Sequence, residues 1–157
     1  MSRVDEAGKA LKSHLESLLP TATIIRTYTP GAKLEDSDLT GLQIFLTPED
    51  TRTDLTTHNG RKFRDFVTYT IAIVKKISDL TDPTQEVDSL LDTVEEIRDS
   101  FIFEFHHTNT YPIKLVTTQA ENSSARPLYQ RGKLEDQNLF VSFLLVEVIV
   151  NGQKAVT

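Results

Sequence analysis

The chain has 157 residues, enough for one domain with a real core, and a formal net charge of −6, which argues against the bulk nucleic-acid wrapping that needs a basic surplus. It contains no cysteine, which excludes a disulfide framework, thiolate chemistry and Cys-ligated metal, and fits a reducing compartment. The N-terminal stretch is charged throughout, unlike a signal peptide, and no apolar run reaches the ~18 residues of a membrane span, so the sequence reads as one domain over 1–157, soluble and intracellular at synthesis.

Val4, Ala7, Leu11, Leu15 and Leu18 fall at steps of three and four, which predicts a helix over about 3–19, stopped by Pro20. His14 on this helix reads as a surface or edge residue. The β-branched run 22–28 predicts a short strand, and 29–38, with its Pro-Gly pair, a polar loop. Residues 41–48 alternate, with Leu42, Ile44 and Leu46 inward; 49–61 reads as a loop or hairpin tip with a tight turn at Asn59-Gly60. A long strand spans 63–77. At ~3.3 Å per residue it would reach about 50 Å, wider than a core of this size, so part of it is expected to project as an arm.

Asp82 is placed to cap a second helix, with Pro83 at its first position and Gln85 completing an Asp-x-x-Gln variant of the capping box. Val87, Leu90, Leu91, Val94, Ile97 and Phe101 form its apolar stripe; Asp88, Asp92, Glu95, Glu96 and Asp99 form the opposite face. A strand follows at 111–119, with Pro112 near its start, then a polar loop over 120–137, then a last strand over 138–152.

That last strand is apolar on both sides. One side carries Leu139, Val141, Phe143, Leu145, Glu147 and Ile149; the other carries Phe140, Ser142, Leu144, Val146, Val148 and Val150. A strand of a half-solvated antiparallel sheet would alternate apolar and polar instead. The element order α-β-β-β-α-β-β predicts an α+β fold: a mostly antiparallel, curled sheet with two helices packed on one face and a long projecting hairpin arm. Two helices cover one face of a sheet. The second face needs either strong curling with the arm folded back, or another chain. An oligomer is expected, because an open apolar strand invites aggregation. Leu144 and Val146 are assigned to that covered second face.

The chain shows no nucleophile elbow, phosphate-binding glycine loop or paired-His zinc helix, so no catalytic, cofactor-binding or metal-ligating residue is assigned. His58 lies four and eight residues from Asp54 and Asp50, in a turn-like stretch that suits a metal poorly. His106 and His107 follow the second helix, where cations complement the dipole. Glu147 reads as a structural residue, and Asn122-Ser123-Ser124 as a chance glycosylation match. The charges are uneven: residues 61–76 hold five cations and one acid, and 77–104 hold one cation and nine acids. Two solvated faces are the plain reading. The sharper reading sets Arg61, Lys62 and Arg64 of one subunit against Asp92, Glu95 and Glu96 of its neighbour, in head-to-tail contacts that close a ring. Phe63, Phe66 and Tyr69 among those cations would also suit stacking on nucleic acid, which the acidic total disfavours.

The succession "ALKSHLESLL", "GLQIFLTPED", "FRDFVTYTIAIVKKI", "QEVDSLLDTVEEIRDSF" and "LEDQNLFVSFLLVEVIV" resembles the tail-terminator and tail-completion proteins of long-tailed bacteriophages. The likeness lies in element order, length and texture over about 3–151, with no signature residue. It implies a non-enzymatic subunit of a six-fold ring that caps the tail tube, stops its growth and meets the head connector. The implied partners are further copies of the chain, the major tail tube protein and a head connector or stopper protein. Viral DNA would pass through without specific binding, since acidic subunits repel phosphates. The implied location is the tail or neck of the virion, and the host cytoplasm during assembly. A head-completion or stopper protein of the same neck, and a small α+β enzyme with a pocket beneath a curled sheet, are the alternative readings.

Overall fold

Helix α1 (Arg3–Leu18) starts at Ser2, whose hydroxyl accepts the Asp5 N–H at 3.2 Å, and Asp5 and Glu6 in its first turn complement the dipole. Ala7, Leu11 and Leu15 are fully buried on one face, together with Gly8 and His14. Gly8 sits where no side chain fits. A Cβ there would collide with Tyr69 Oη and stand 2.6 Å from Arg26 Nε. The helix can therefore lie close on the sheet, and Tyr69 Oη donates to the Val4 carbonyl at 2.7 Å. The computed structural model describes residues 2–28, 40–55, 62–105, 113–118 and 129–153.

Five strands form one open sheet. β1 (Thr23–Arg26) runs parallel to β2 (Gln43–Leu55), which pairs antiparallel with β3 (Lys62–Lys76). β3 pairs antiparallel with β5 (Leu139–Gln153), and β5 with β4 (Ile113–Thr118), giving the order β1-β2-β3-β5-β4. Helix α2 (Thr84–Phe103) follows β3 in the chain. It contributes Val87, Leu90, Val94, Ile97 and Phe101 to the same core as α1, against Ile44, Leu46, Val67, Ile71 and Ile73 of the sheet. The fold is thus α+β, with a mostly antiparallel sheet and both long helices on one face, as the element order predicts.

The cap of α2 differs from the expectation: Pro83, not Asp82, is the N-cap residue, and no side chain caps it. Asp82 stands one residue earlier, where its carboxylate accepts the Thr84 N–H at 3.1 Å; the Thr84 hydroxyl first, and its N–H next, hold the Asp82 pKa below the ordinary value. The Asp82 N–H is not taken by Gln85, either. It donates to Asp79 Oδ1 at 3.2 Å, because the turn from β3 brings that carboxylate to it first.

Three elements differ from the sequence expectation. Residues 49–55, expected in a loop, extend β2 to Leu55, because every residue from Asp50 to Leu55 finds a cross-strand partner as far as Phe63. The long β3 is not a bare hairpin arm beyond the core: β5 accompanies it at all fifteen positions, from Lys62–Gln153 to Lys76–Leu139. Within the expected loop 120–137 lies a short helix α3 (Arg131–Gln137). Arg131 Nε meets Glu135 Oε1 at 2.9 Å one turn on, Leu134 packs against the core, and Asn138 ends the helix in the left-handed region at φ 56°.

The β2 ladder contains one bulge, a register shift between Pro48 and Asp50 with Glu49 as the extra residue. Before it, Phe45 and Thr47 face away from the helices. After it, Asp50, Arg52 and Asp54 do. Thr53 consequently faces the helix side, where its hydroxyl donates to Asp65 Oδ1 at 2.5 Å and Arg3 Nε meets Asp65 Oδ2 at 3.2 Å.

Candidate assembly surfaces

The register settles which side of β5 the helices cover. Phe140, Leu144, Val146 and Val148 are fully buried in the main core, with Val150 nearly so. Leu144 and Val146 therefore do not lie on the second face; this corrects their assignment. The strand is apolar on both sides, so its own pattern cannot choose between them. The cross-strand rows Leu46–Ile71–Leu144 and Pro48–Tyr69–Val146 make the choice. The second face belongs to Val141, Phe143, Leu145, Glu147 and Ile149, of which Val141 is buried and the rest half-buried. Phe45, Ala72, Val74 and Val141 form a small cluster there, with Ile25, Leu139 and Phe143 packed against it. Further along the same face the Arg52 guanidinium lies 4.4 Å from the Phe66 ring centre. The second face is thus a real apolar surface, and its β5 side is only partly covered.

The acidic face of α2 exists as expected: Asp88, Asp92, Glu95, Glu96 and Asp99 are all exposed. The basic run does not fold into one patch. Arg61 lies outside the described residues. Lys62 and Arg64 are exposed near the far end of β3, whereas Lys75 pairs with Glu86 at the other end of the strand. β2 then lays Glu49, Asp50 and Asp54 beside the distal cations; Asp54 stands opposite Arg64 in register, and Asp65 is held by Arg3. A charge run counted along one strand misses the strand that pairs with it.

Glu86 is the most perturbed acid among the described residues. Its carboxylate accepts from Lys75 Nζ at 2.9 Å, from Ser78 Oγ at 2.8 Å and from the Ser78 N–H at 2.9 Å. The Lys75 contact first, and the Ser78 contacts next, hold its pKa down at about 2. An open depression of about 500 Å³ lies beside it, lined by Lys75, Asp79, Asp82 and Ser89 among others. A carboxylate ionised at every physiological pH ties the β3–α2 turn together but is no general acid or base.

His14 is buried, not at the surface. Its ring packs against Phe101 and Phe105 with centroids at 4.9 and 5.2 Å, and Nε2 lies 2.8 Å from Ser100 Oγ. The expectation failed because Ser100 and Phe101 near the end of α2, and Phe105 just beyond it, close over the ring, a contact that the helical stripe of α1 does not reveal. Ser100 Oγ donates its proton to the Ile97 carbonyl at 2.7 Å, so His14 Nε2–H donates to Ser100 Oγ. That direction is opposite to activation of a serine nucleophile by a histidine base. Burial holds the His14 pKa below 6.5, with the Glu104 charge opposing. His58, His106 and His107 lie outside the described residues. Among the described residues no three His, Asp or Glu side chains cluster as metal ligands would.

Several exposed features escaped the sequence reading. Leu55 and Tyr28 stand out at the β2 side of the sheet, and Ile102 and Phe103 at the end of α2. The only sequence signal for the last two is that they follow Phe101 off the 3.6-residue stripe. No protein-family model matches the chain, and no curated protein matches it in sequence.

Proposed function

We propose that this chain is a structural subunit of a bacteriophage neck: a tail terminator that assembles into a ring, caps the tail tube and joins it to the head connector. The observation that carries the reading is the second sheet face. A mixed sheet with both long helices on one side leaves Phe143, Leu145 and Ile149 half-covered on the other. Apolar surface of that kind marks an interaction site. The resemblance in element order supplies the particular assembly. The exposed acidic face of α2 suits a ring through which DNA passes, because it would repel phosphates wherever the two meet. On this reading the partners are other copies, the major tail tube protein and a head connector or stopper protein. The protein resides in the tail or neck of the virion after assembly in the host cytoplasm. Among the described residues no helix is long and apolar enough to cross a membrane.

The test mixes the full chain with purified tail tubes and follows it by light scattering and negative-stain imaging. Rings at tube ends are the expected result; a monomer that never binds tubes overturns the reading. Tracing the labelled protein through defective assemblies separates terminator from stopper. A terminator stays on headless tails, and a stopper stays on tailless heads.

A further inference from the structure

The two edges of the sheet fit each other. On one edge β1 ends at Arg26, opposite Leu46, and the Thr27 N–H to Leu46 carbonyl bond at 2.9 Å continues that pairing by one step. Beyond it, every residue of β2 from Glu49 to Leu55 is exposed. The backbone N–H of Thr51 is taken by the neighbouring Asp50 Oδ1 at 2.8 Å, a side-chain cap in place of a strand. On the other edge, among the described residues, β4 pairs only with β5.

The two edges overlap in height only in part: β4 stands level with β2 from Leu46 to Thr51, whereas the open edge runs from Glu49 to Leu55. One row of the sheet reads Thr47–Thr70–Leu145–Thr117, and another Asp50–Thr68–Glu147–Leu115. Three antiparallel pairings separate β2 from β4, so β4 runs antiparallel to β2. A second copy set beside the first in the same orientation, and shifted by about four residues along the strands, therefore brings its β4 alongside the open part of the first copy's β2 in antiparallel sense. The apolar side chains agree. Tyr28 and Leu55 are 71% and 69% exposed beside the β2 edge. Ile102 and Phe103 are 46% and 65% exposed at the end of α2, the helix that packs on β4. Of the large apolar side chains left exposed among the described residues, only Leu80 lies elsewhere. Lys114 is the one charged residue of β4, and Glu49, Asp50 and Asp54 lie in the exposed part of β2.

We propose that these edges are the two halves of one contact: the β4 edge of a second copy adds to the open β2 edge of the first and continues the sheet from subunit to subunit. The inference rests on the ring reading above and names the surfaces that close the ring. Main-chain bonds supply the pairing, and the flanking apolar side chains supply the selectivity. The contact is head-to-tail, so it repeats until a ring closes. In the free subunit Asp50 blunts the edge by capping Thr51, as edge strands commonly require. The incoming carbonyl replaces that carboxylate.

Hydrogen exchange on the full chain, free and assembled on tail tubes, tests this. The expected result is about tenfold or slower exchange in 51–55 and 113–118 on assembly. Thr51→Pro removes a single outward donor and leaves the β2–β3 ladder intact; together with Phe103→Glu it is expected to abolish assembly. Should Thr51→Pro fold poorly, the exchange pattern of the unsubstituted protein decides alone. Assembly with both edges exchanging as in the free chain overturns this inference and leaves the ring reading standing. A chain that stays monomeric on tubes at every concentration overturns both. Edge protection that appears on tubes without self-association identifies a foreign strand and overturns the second-copy contact.

Discussion

Replacing Glu86 with glutamine keeps the shape of the side chain and removes its charge. In the folded protein the carboxylate accepts from Lys75 Nζ, Ser78 Oγ and the Ser78 N–H, and its pKa falls from 4.5 to about 2. At about 1.4 kcal/mol per pH unit this corresponds to a ceiling of roughly 3 kcal/mol. Glu86 lies at an open surface where water screens the charge, so about 1–2 kcal/mol is the expected loss at pH 7. For a domain of this size that lowers the melting temperature by about 2–8 °C. The pKa is depressed on folding, so the contribution is fully present above pH 4.5 and is lost as pH falls from 4.5 towards 2. Urea unfolding of both proteins at several pH values between 7 and 2.5 reads this directly. The two stabilities should converge as acid is added. A gap that is absent at pH 7, or that persists unchanged at pH 2.5, would refute the assignment of Glu86 as the anionic tie of the β3–α2 turn.

Gly8→Ala should destabilise the fold by about 1–3 kcal/mol even though alanine is the better helix former, because its methyl meets Tyr69 Oη; thermal melts check this, and adding Tyr69→Phe should recover part of the loss. The His14 ring should titrate below pH 6.5 in an NMR titration. Its lowered pKa makes its share of stability complete above pH 6.5 and lost as pH falls through the folded value, and a ring that titrates at 6.5 or above would contradict this. Leu144→Ala should cost about 2–5 kcal/mol and Leu145→Ala under about 1 kcal/mol in the free subunit; equal costs in denaturant melts would overturn the face assignment of β5.

Regular repeats were readable before any coordinates. Ala7, Leu11 and Leu15, and Val87, Leu90, Val94 and Ile97, mark their helices because a one-sided stripe has one meaning. β5 defeated that method, because a strand apolar on both sides has no readable inside. Only the rows it shares with β3 show Leu144 inward and Leu145 outward. His14 misled for a related reason: a polar residue near the edge of the α1 stripe gives no sign that Phe101 and Phe105 will close over it. The extension of β2 through 49–55 was hidden because its exposed, threonine- and aspartate-rich sequence has turn composition, and pairing with β3 outweighs it. For the candidate assembly surface, the sequence showed an apolar excess and an acidic helix. It did not show which atoms remain uncovered, since that depends on contacts between elements far apart in the chain.

The bulge at Glu49 decides which way the outer part of β2 faces. Were β2 to run past Pro48 in regular pairing, with Glu49 opposite Thr68, everything from Asp50 to Leu55 would turn inside out. Arg52 would leave the Phe66 ring and swing towards Arg3, cation against cation, while Thr53 would abandon Asp65 to open water. The single extra residue, more than the identity of any exposed side chain, therefore sets the face of each group in this stretch.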